Sequence, residues 1–181
     1  MRTNLVRSLM AMKDNQCKVL LIIALSLGLL AVGTPIPRRA EAHEAGKIEV
    51  GKTVVGGMEI EVELEEPSEM RMLMMGKWKL MKPAKGDTHH LEVKTSVPGK
   101  GYRIPYSDVR ATFINLESKK EFVKKVAPMF GANFHYGVNV TLKKGKYEAV
   151  IDIAPPTMMR MEESLNKWLK PVQARFQFEV K

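Results

Sequence analysis

His90 and Glu92 alternate with apolar Leu91 and Val93 in the run Asp87-Thr88-His89-His90-Leu91-Glu92-Val93, a spacing that can bind a metal ion. In a strand, side chains two residues apart share a face. Leu91, Val93 and Val97 then point one way, and His90 and Glu92 project together from the other. An imidazole beside a carboxylate is a two-point chelate for Cu(II), Zn, Fe or Mn, and it needs at least one further ligand. A polar strand face that merely contains a histidine reads the same way, so the ligands must be sought elsewhere in the chain.

They are found in Pro128-Met129-Phe130-Gly131-Ala132-Asn133-Phe134-His135-Tyr136-Gly137. His135 has the parity opposite to Phe134, Tyr136 and Val138, which turns it away from the main core. Met129, six residues earlier, folds back through the Gly131-Ala132-Asn133 turn to meet it. His90, Glu92, Met129 and His135 thus make a four-ligand set of nitrogen, oxygen and thioether sulfur. That mixture suits copper in either oxidation state better than a structural zinc. Binding needs only these four; an oxidase also needs an open coordination position.

Methionine is concentrated in two further segments. Pro67–Pro83 contains Met70, Met72, Met74, Met75 and Met81 with Trp78, and Pro156–Trp168 contains Met158, Met159 and Met161 ahead of a helical turn through Glu162, Glu163, Ser164 and Leu165. Neither segment shows polar and apolar alternation, so both read as irregular. Methionine commonly fills gaps in a core, whereas thioethers gathered on a loop could hold Cu(I).

The elements that must position these residues are strands. Met58, Ile60, Val62 and Leu64 alternate with Glu59, Glu61, Glu63 and Glu65, after a Gly56-Gly57 turn that separates two strands. The same rule runs through 89–97, 109–113, 134–142, 147–153 and 172–180. Six or more such strands, with no βαβ spacing, predict an all-β fold: an immunoglobulin-like antiparallel β-sandwich.

Residues 1–42 read as a cleavable signal peptide. Arg2, Arg7, Lys13 and Lys18 precede an apolar run from Val19 to Val32, and Ala40-Glu41-Ala42 supplies a cleavage site. The only cysteine, Cys17, lies inside this leader, so residues 43–181 form one cysteine-free domain that a core must hold. His43 would become the N-terminus and a side candidate for copper through its amine and ring. Without the leader, 23 Lys and Arg stand against 18 Asp and Glu, a charge of +5 compared with +9 for the whole chain. Lysines scattered in turns without interleaved aromatics argue against nucleic acid.

Gly57-Met58-Glu59-Ile60, Pro67-Ser68-Glu69-Met70, Asp87 with His90-Leu91-Glu92, Ile104-Pro105-Tyr106, Pro128-Met129 with His135-Tyr136-Gly137, Gly145-Lys146-Tyr147, Pro155-Pro156 and Trp168-Leu169-Lys170-Pro171 follow one another in an order that resembles a known family. It is that of the periplasmic ferrous-iron transport proteins, which act beside an Ftr-type iron permease in bacteria. The resemblance covers nearly all of 43–181. It implies an immunoglobulin-like sandwich, a homodimer, and a copper site on His90, Glu92, Met129 and His135, with Met58 and Met70 as lesser candidates. Two departures stand out. Where the family carries a histidine-rich loop between the double proline and the tryptophan, this chain has Met158, Met159, Arg160 and Met161. Lys94, Thr95 and Ser96 replace a further histidine beyond His-Leu-Glu. Both changes remove imidazole and leave the softer donors that copper prefers.

The resulting expectation is a periplasmic protein that captures copper, ferrous iron or both and supports iron uptake through an inner-membrane permease. No Ser-His-Asp arrangement, phosphate loop or cysteine cluster offers it a catalytic chemistry of its own. A copper-dependent iron redox enzyme and an immunoglobulin-like interaction module with no metal are the alternatives.

Overall fold

The structure, a computed structural model, describes residues 46–181; the expected signal peptide over 1–42 and His43 lie outside them. Ten strands follow in order: β1 (Ile48–Val55), β2 (Met58–Glu65), β3 (Met70–Met74), β4 (Lys77–Met81), β5 (His89–Ser96), β6 (Val109–Asn115), β7 (Glu121–Phe130), β8 (Phe134–Val140), β9 (Gly145–Ile153) and β10 (Val172–Val180). The turn expected near Glu162 is a short 3-10 helix over Glu162–Ser164. No helix among the described residues is long and apolar enough to cross a membrane.

Alternation explains most of these strands. In β2, Met58, Ile60, Val62 and Leu64 are buried while their glutamate neighbours face outward, and Leu91 and Val93 of β5 continue the same inner face. Gly56 and Gly57, both at positive φ, close the β1–β2 hairpin between the paired Val55 and Met58. A two-residue turn with both residues left-handed matches strand twist and strongly favours glycine.

Eight strands form one antiparallel sheet in the order β1-β2-β5-β8-β7-β6-β9-β10. The sheet curls until its two edges meet. A Cβ built on Gly51 of β1 would lie 2.5 Å from Phe176 of β10, and one on Gly56 would lie 2.5 Å from Val172. The enclosed core takes Ile60, Leu64, Leu91, Phe113, Tyr136, Ile151 and Ile153.

Two features, three strands in all, escaped the sequence reading. In β7, Glu121–Val126 pairs with β6 and Ala127–Phe130 with β8, so one strand serves both halves of the sheet. Its more buried parity flips between Val126 and Ala127, which erases the alternation. The second is the β3–β4 hairpin within the segment expected to be irregular. Both of its faces meet solvent, so nothing imposes a polar and apolar alternation on it.

Candidate metal centre

Pairing across three strands brings the four predicted ligands to one patch of the sheet's outer face. His90 and Glu92 project from β5, opposite Asn139 and Gly137 of β8. Met129 of β7 pairs with His135 of β8, the fold-back expected from the turn. Gly137 lies beneath them. A Cβ there would sit 2.7 Å from His90 Nε2 and 3.0 Å from Met129 Sδ, so the missing side chain leaves the floor on which imidazole and thioether converge.

The ring nitrogens are sorted by their partners. His135 Nδ1 lies 3.0 Å from the Asn133 carbonyl, which can only accept, so Nδ1 carries the hydrogen. His90 Nδ1 lies 2.9 Å from Asn139 Oδ1. Ser68 fixes that amide: its backbone N–H donates to Oδ1 at 3.1 Å, and Asn139 Nδ2 donates to its carbonyl at 2.9 Å. His90 Nδ1 is therefore also a donor. With Nδ1 committed in both rings, Nε2 is the nitrogen left to take a metal.

The His135 ring faces the carboxylate. His135 Nε2 is 3.5 Å from Glu92 Oε1, and one ligand atom each from His90, Glu92 and His135 lie within 4.8 Å of one another. The two rings meet edge to face with centroids 6.2 Å apart. His90 is buried, and the Glu92 and His135 side chains are mostly so.

Beside this group runs a charged row that sequence reasoning noticed only as an acidic strand face. Glu63 lies across from Glu92 and is buried at 4% exposure. Lys94 bonds Glu63 and lies 3.5 Å from Glu61 and 3.6 Å from Glu92, while Lys47 reaches Glu63 at 2.6 Å. Burial pushes the Glu63 carboxyl up, but hydrogen bonds from Lys47 and Lys94 outweigh it and hold the group below the usual carboxylate range. For Lys94, burial pulls the ammonium down, but the bond to Glu63 together with the charges of Glu63, Glu92 and Glu61 leaves it above its ordinary value. Oxygens of Glu63, Glu65 and Glu92 also lie within 4.8 Å of one another. Asn139 was missed by the sequence reading; the signal that places it on this face is the outward parity it shares with His135 and Gly137.

The two lesser candidates fall elsewhere. Met58 is a correction: it opens β2 on the inner face, 1% exposed in the core, because its parity is opposite to that of the outward glutamates. Met70 starts β3 at the base of the hairpin, two residues beyond Ser68, and is half-buried. Of the later methionines, Met158 packs on the core while Met159 and Met161 face solvent. Their loop is tied to Gly57 by the Trp168 indole, which donates to its carbonyl at 3.0 Å. Gly57 borders the end of β2 away from Glu65, the partner of His90.

The fold has solved counterparts. A copper-bound variant of FetP from uropathogenic Escherichia coli strain F11 superposes with a TM-score of 0.63 at 23% identity, covering 74% of this chain and 96% of that one. A copper-bound variant of P19 from Campylobacter jejuni gives 0.63 at 20% identity, covering 75% and 98%. Copper-reconstituted P19 gives 0.62 at 20%, covering 74% and 96%. At these identities the likeness is one of fold. Among curated proteins none is significantly similar in sequence. The sequence profile of the Fe2+ transport proteins, however, matches residues 44–181, the whole described domain included, and on that ground the chain belongs to the Fe2+ transport protein family.

Proposed function

We propose that this protein is an exported, periplasmic metal carrier that holds copper on His90, Glu92, Met129 and His135 and supports ferrous-iron uptake through a membrane permease. The reading rests on one observation above all. Two imidazoles on neighbouring strands each commit Nδ1 to an acceptor, and one ligand atom of each lies within 4.8 Å of a Glu92 oxygen. A solvated polar face has no reason to fix both tautomers this way. Gly137 opens the space above which Met129 Sδ joins them. Two nitrogens, an oxygen and a thioether form a donor set for copper, and the neighbouring carboxylates offer the hard oxygens that iron accepts. The copper-bound state of the FetP and P19 structures supports the assignment.

The finer features of the molecule are read with it. The halves β1-β2-β5-β8 and β6-β9-β10 serve as the two layers of an immunoglobulin-like sandwich, residues 1–42 as its export signal, and two copies as a homodimer. When bound, copper supplies a soft, redox-capable cation. The protein's own residues orient the imidazoles through Asn139 and Asn133, and Lys94 and Lys47 restrain the nearby carboxylates. The donor set accommodates both copper oxidation states, so an electron exchange with iron is the second reading.

Asn139 provides the test. Asn139→Leu removes the acceptor for His90 Nδ1, and copper affinity measured by calorimetry should fall on the order of 10–100-fold. Cu(II) binding should also weaken in acid, because protons compete for Nε2, and should vanish in a His90→Ala, His135→Ala double variant. Unchanged copper binding in that double variant would remove the site. Metal analysis of protein purified from its native compartment identifies the ion, and steady oxygen-dependent oxidation of Fe(II) would favour the redox reading over simple carriage.

A further inference from the structure

The β3–β4 hairpin stands apart from the sheet. Among the described residues its two strands pair only with each other, and every position except Met70 is exposed. The register sorts its side chains onto two faces. Met70, Met72 and Met74 share one with Met81, Lys79 and Lys77; Arg71, Leu73, Trp78 and Leu80 share the other. Met75, fully exposed, and Gly76 form the tip, both at positive φ. An isolated two-stranded ribbon is marginal in water, and one with apolar side chains on both faces lacks the single inner face of an ordinary hairpin.

Charge identifies what covers it. Residues 70–86 hold Arg71, Lys77, Lys79, Lys82 and Lys85 and no Asp or Glu. Those five charges equal the entire excess of 23 basic over 18 acidic residues in 43–181. Lys77 and Lys79 lie directly across from Met74 and Met72, where they repel a metal cation and weigh against a Cu(I) surface on these thioethers. Two hairpins of this charge would also repel one another. Anionic headgroups attract them, long basic side chains extend to those headgroups while Met, Leu and Trp enter the acyl boundary, and indoles favour that depth.

We propose that the β3–β4 hairpin docks this protein on an anionic phospholipid bilayer, with the Met75 tip and Trp78 inserted at the interface. The inference stands whether or not His90 and His135 hold metal. Through Ser68, which bonds Asn139 beside His90, the docked hairpin would keep the metal centre close to the membrane surface.

The test is local to the hairpin, because the apolar residues 19–32 of a full chain could bind lipid by themselves. Of the two tryptophans, Trp78 is exposed on the hairpin and Trp168 is held at Gly57. In the full chain carrying Trp168→Phe, Trp78 emission is followed on adding phosphatidylcholine vesicles with and without phosphatidylglycerol. If that variant fails to fold, the difference between the parent and Trp78→Phe reports the same signal. Phosphatidylglycerol vesicles should shift the emission to the blue and protect it from an aqueous quencher, and salt should reverse both effects. Lys77→Glu with Lys79→Glu should weaken the partitioning by roughly tenfold or more. An unmoved Trp78 spectrum, or a shift indifferent to lipid charge and to the two reversals, overturns the proposal. So does a shift that follows protein concentration without lipid, which would make the hairpin a contact between chains.

Discussion

Gly137 sets how closely His90 and Met129 approach, and it does so by lacking a side chain rather than by its backbone freedom. A methyl group there would press on His90 Nε2 at 2.7 Å. His90 is buried and pinned by Asn139, so it cannot yield without losing that bond. Gly137→Ala should therefore lower copper affinity by about 10-fold or more, the loss typical of a disturbed ligand orientation. Its stability should change little, because alanine in a strand gains about 0.5–1 kcal/mol over glycine and offsets part of the crowding. Calorimetric copper titration beside a thermal melt separates the two effects. A variant that binds copper like the parent would show that His90 Nε2 is not a ligand.

Among the elements, β7 brings Met129 beside His135 and was hard to foresee. Its first half pairs with β6 and its second with β8, and the change of partner turns Met129 onto the face that carries His135. Pro128, inside the strand, has no N–H to donate, which fits a place where the ladder is changing hands. The β3–β4 hairpin is the opposite case, an element with almost no tertiary support. Its backbone amides from Arg71 to Leu80 should exchange with deuterium orders of magnitude faster than those of Leu91 and Val93, and independently of global unfolding. Exchange mass spectrometry of the lipid-free protein decides it. Protection equal to that of β5 would mean the hairpin is covered in solution.

Across the whole molecule, the outer face of β2 and β5 acts as a partly buried charge network whose contribution depends on pH. The folded state holds Glu63 below its ordinary value, whereas in the unfolded chain a glutamate titrates near about 4.3. Above that pH both states are ionised and the stabilisation is fully present. As pH falls through the lowered folded value the unfolded state binds the proton first, and the contribution is lost. Thermal melts of metal-free protein between about pH 7 and pH 3 should show Glu63→Gln less stable at neutral pH, since Lys47 and Lys94 lose their partner. The gap from the parent should narrow in acid. A constant gap would assign the loss to packing instead of charge.

Period-two alternation by itself determined that this is an all-β protein, and it determined which way His90, Glu92 and His135 point, because side-chain parity in a strand is a local property. The ordered family motifs extended that reading to the whole domain. Parity put Met58 on the inner face opposite its glutamate neighbours, but it could not tell that Met129 comes beside His135; that depends on which strand lies across from it. Nor could it reveal β7 or the hairpin. One changes its buried face midway and the other has no buried face, so neither leaves a uniform pattern in the chain. Only the tertiary structure set Gly137 beneath His90 and Met129, tied Asn139 to Ser68 across 71 residues, and closed Lys94 onto Glu63, because each joins segments that only strand order brings together.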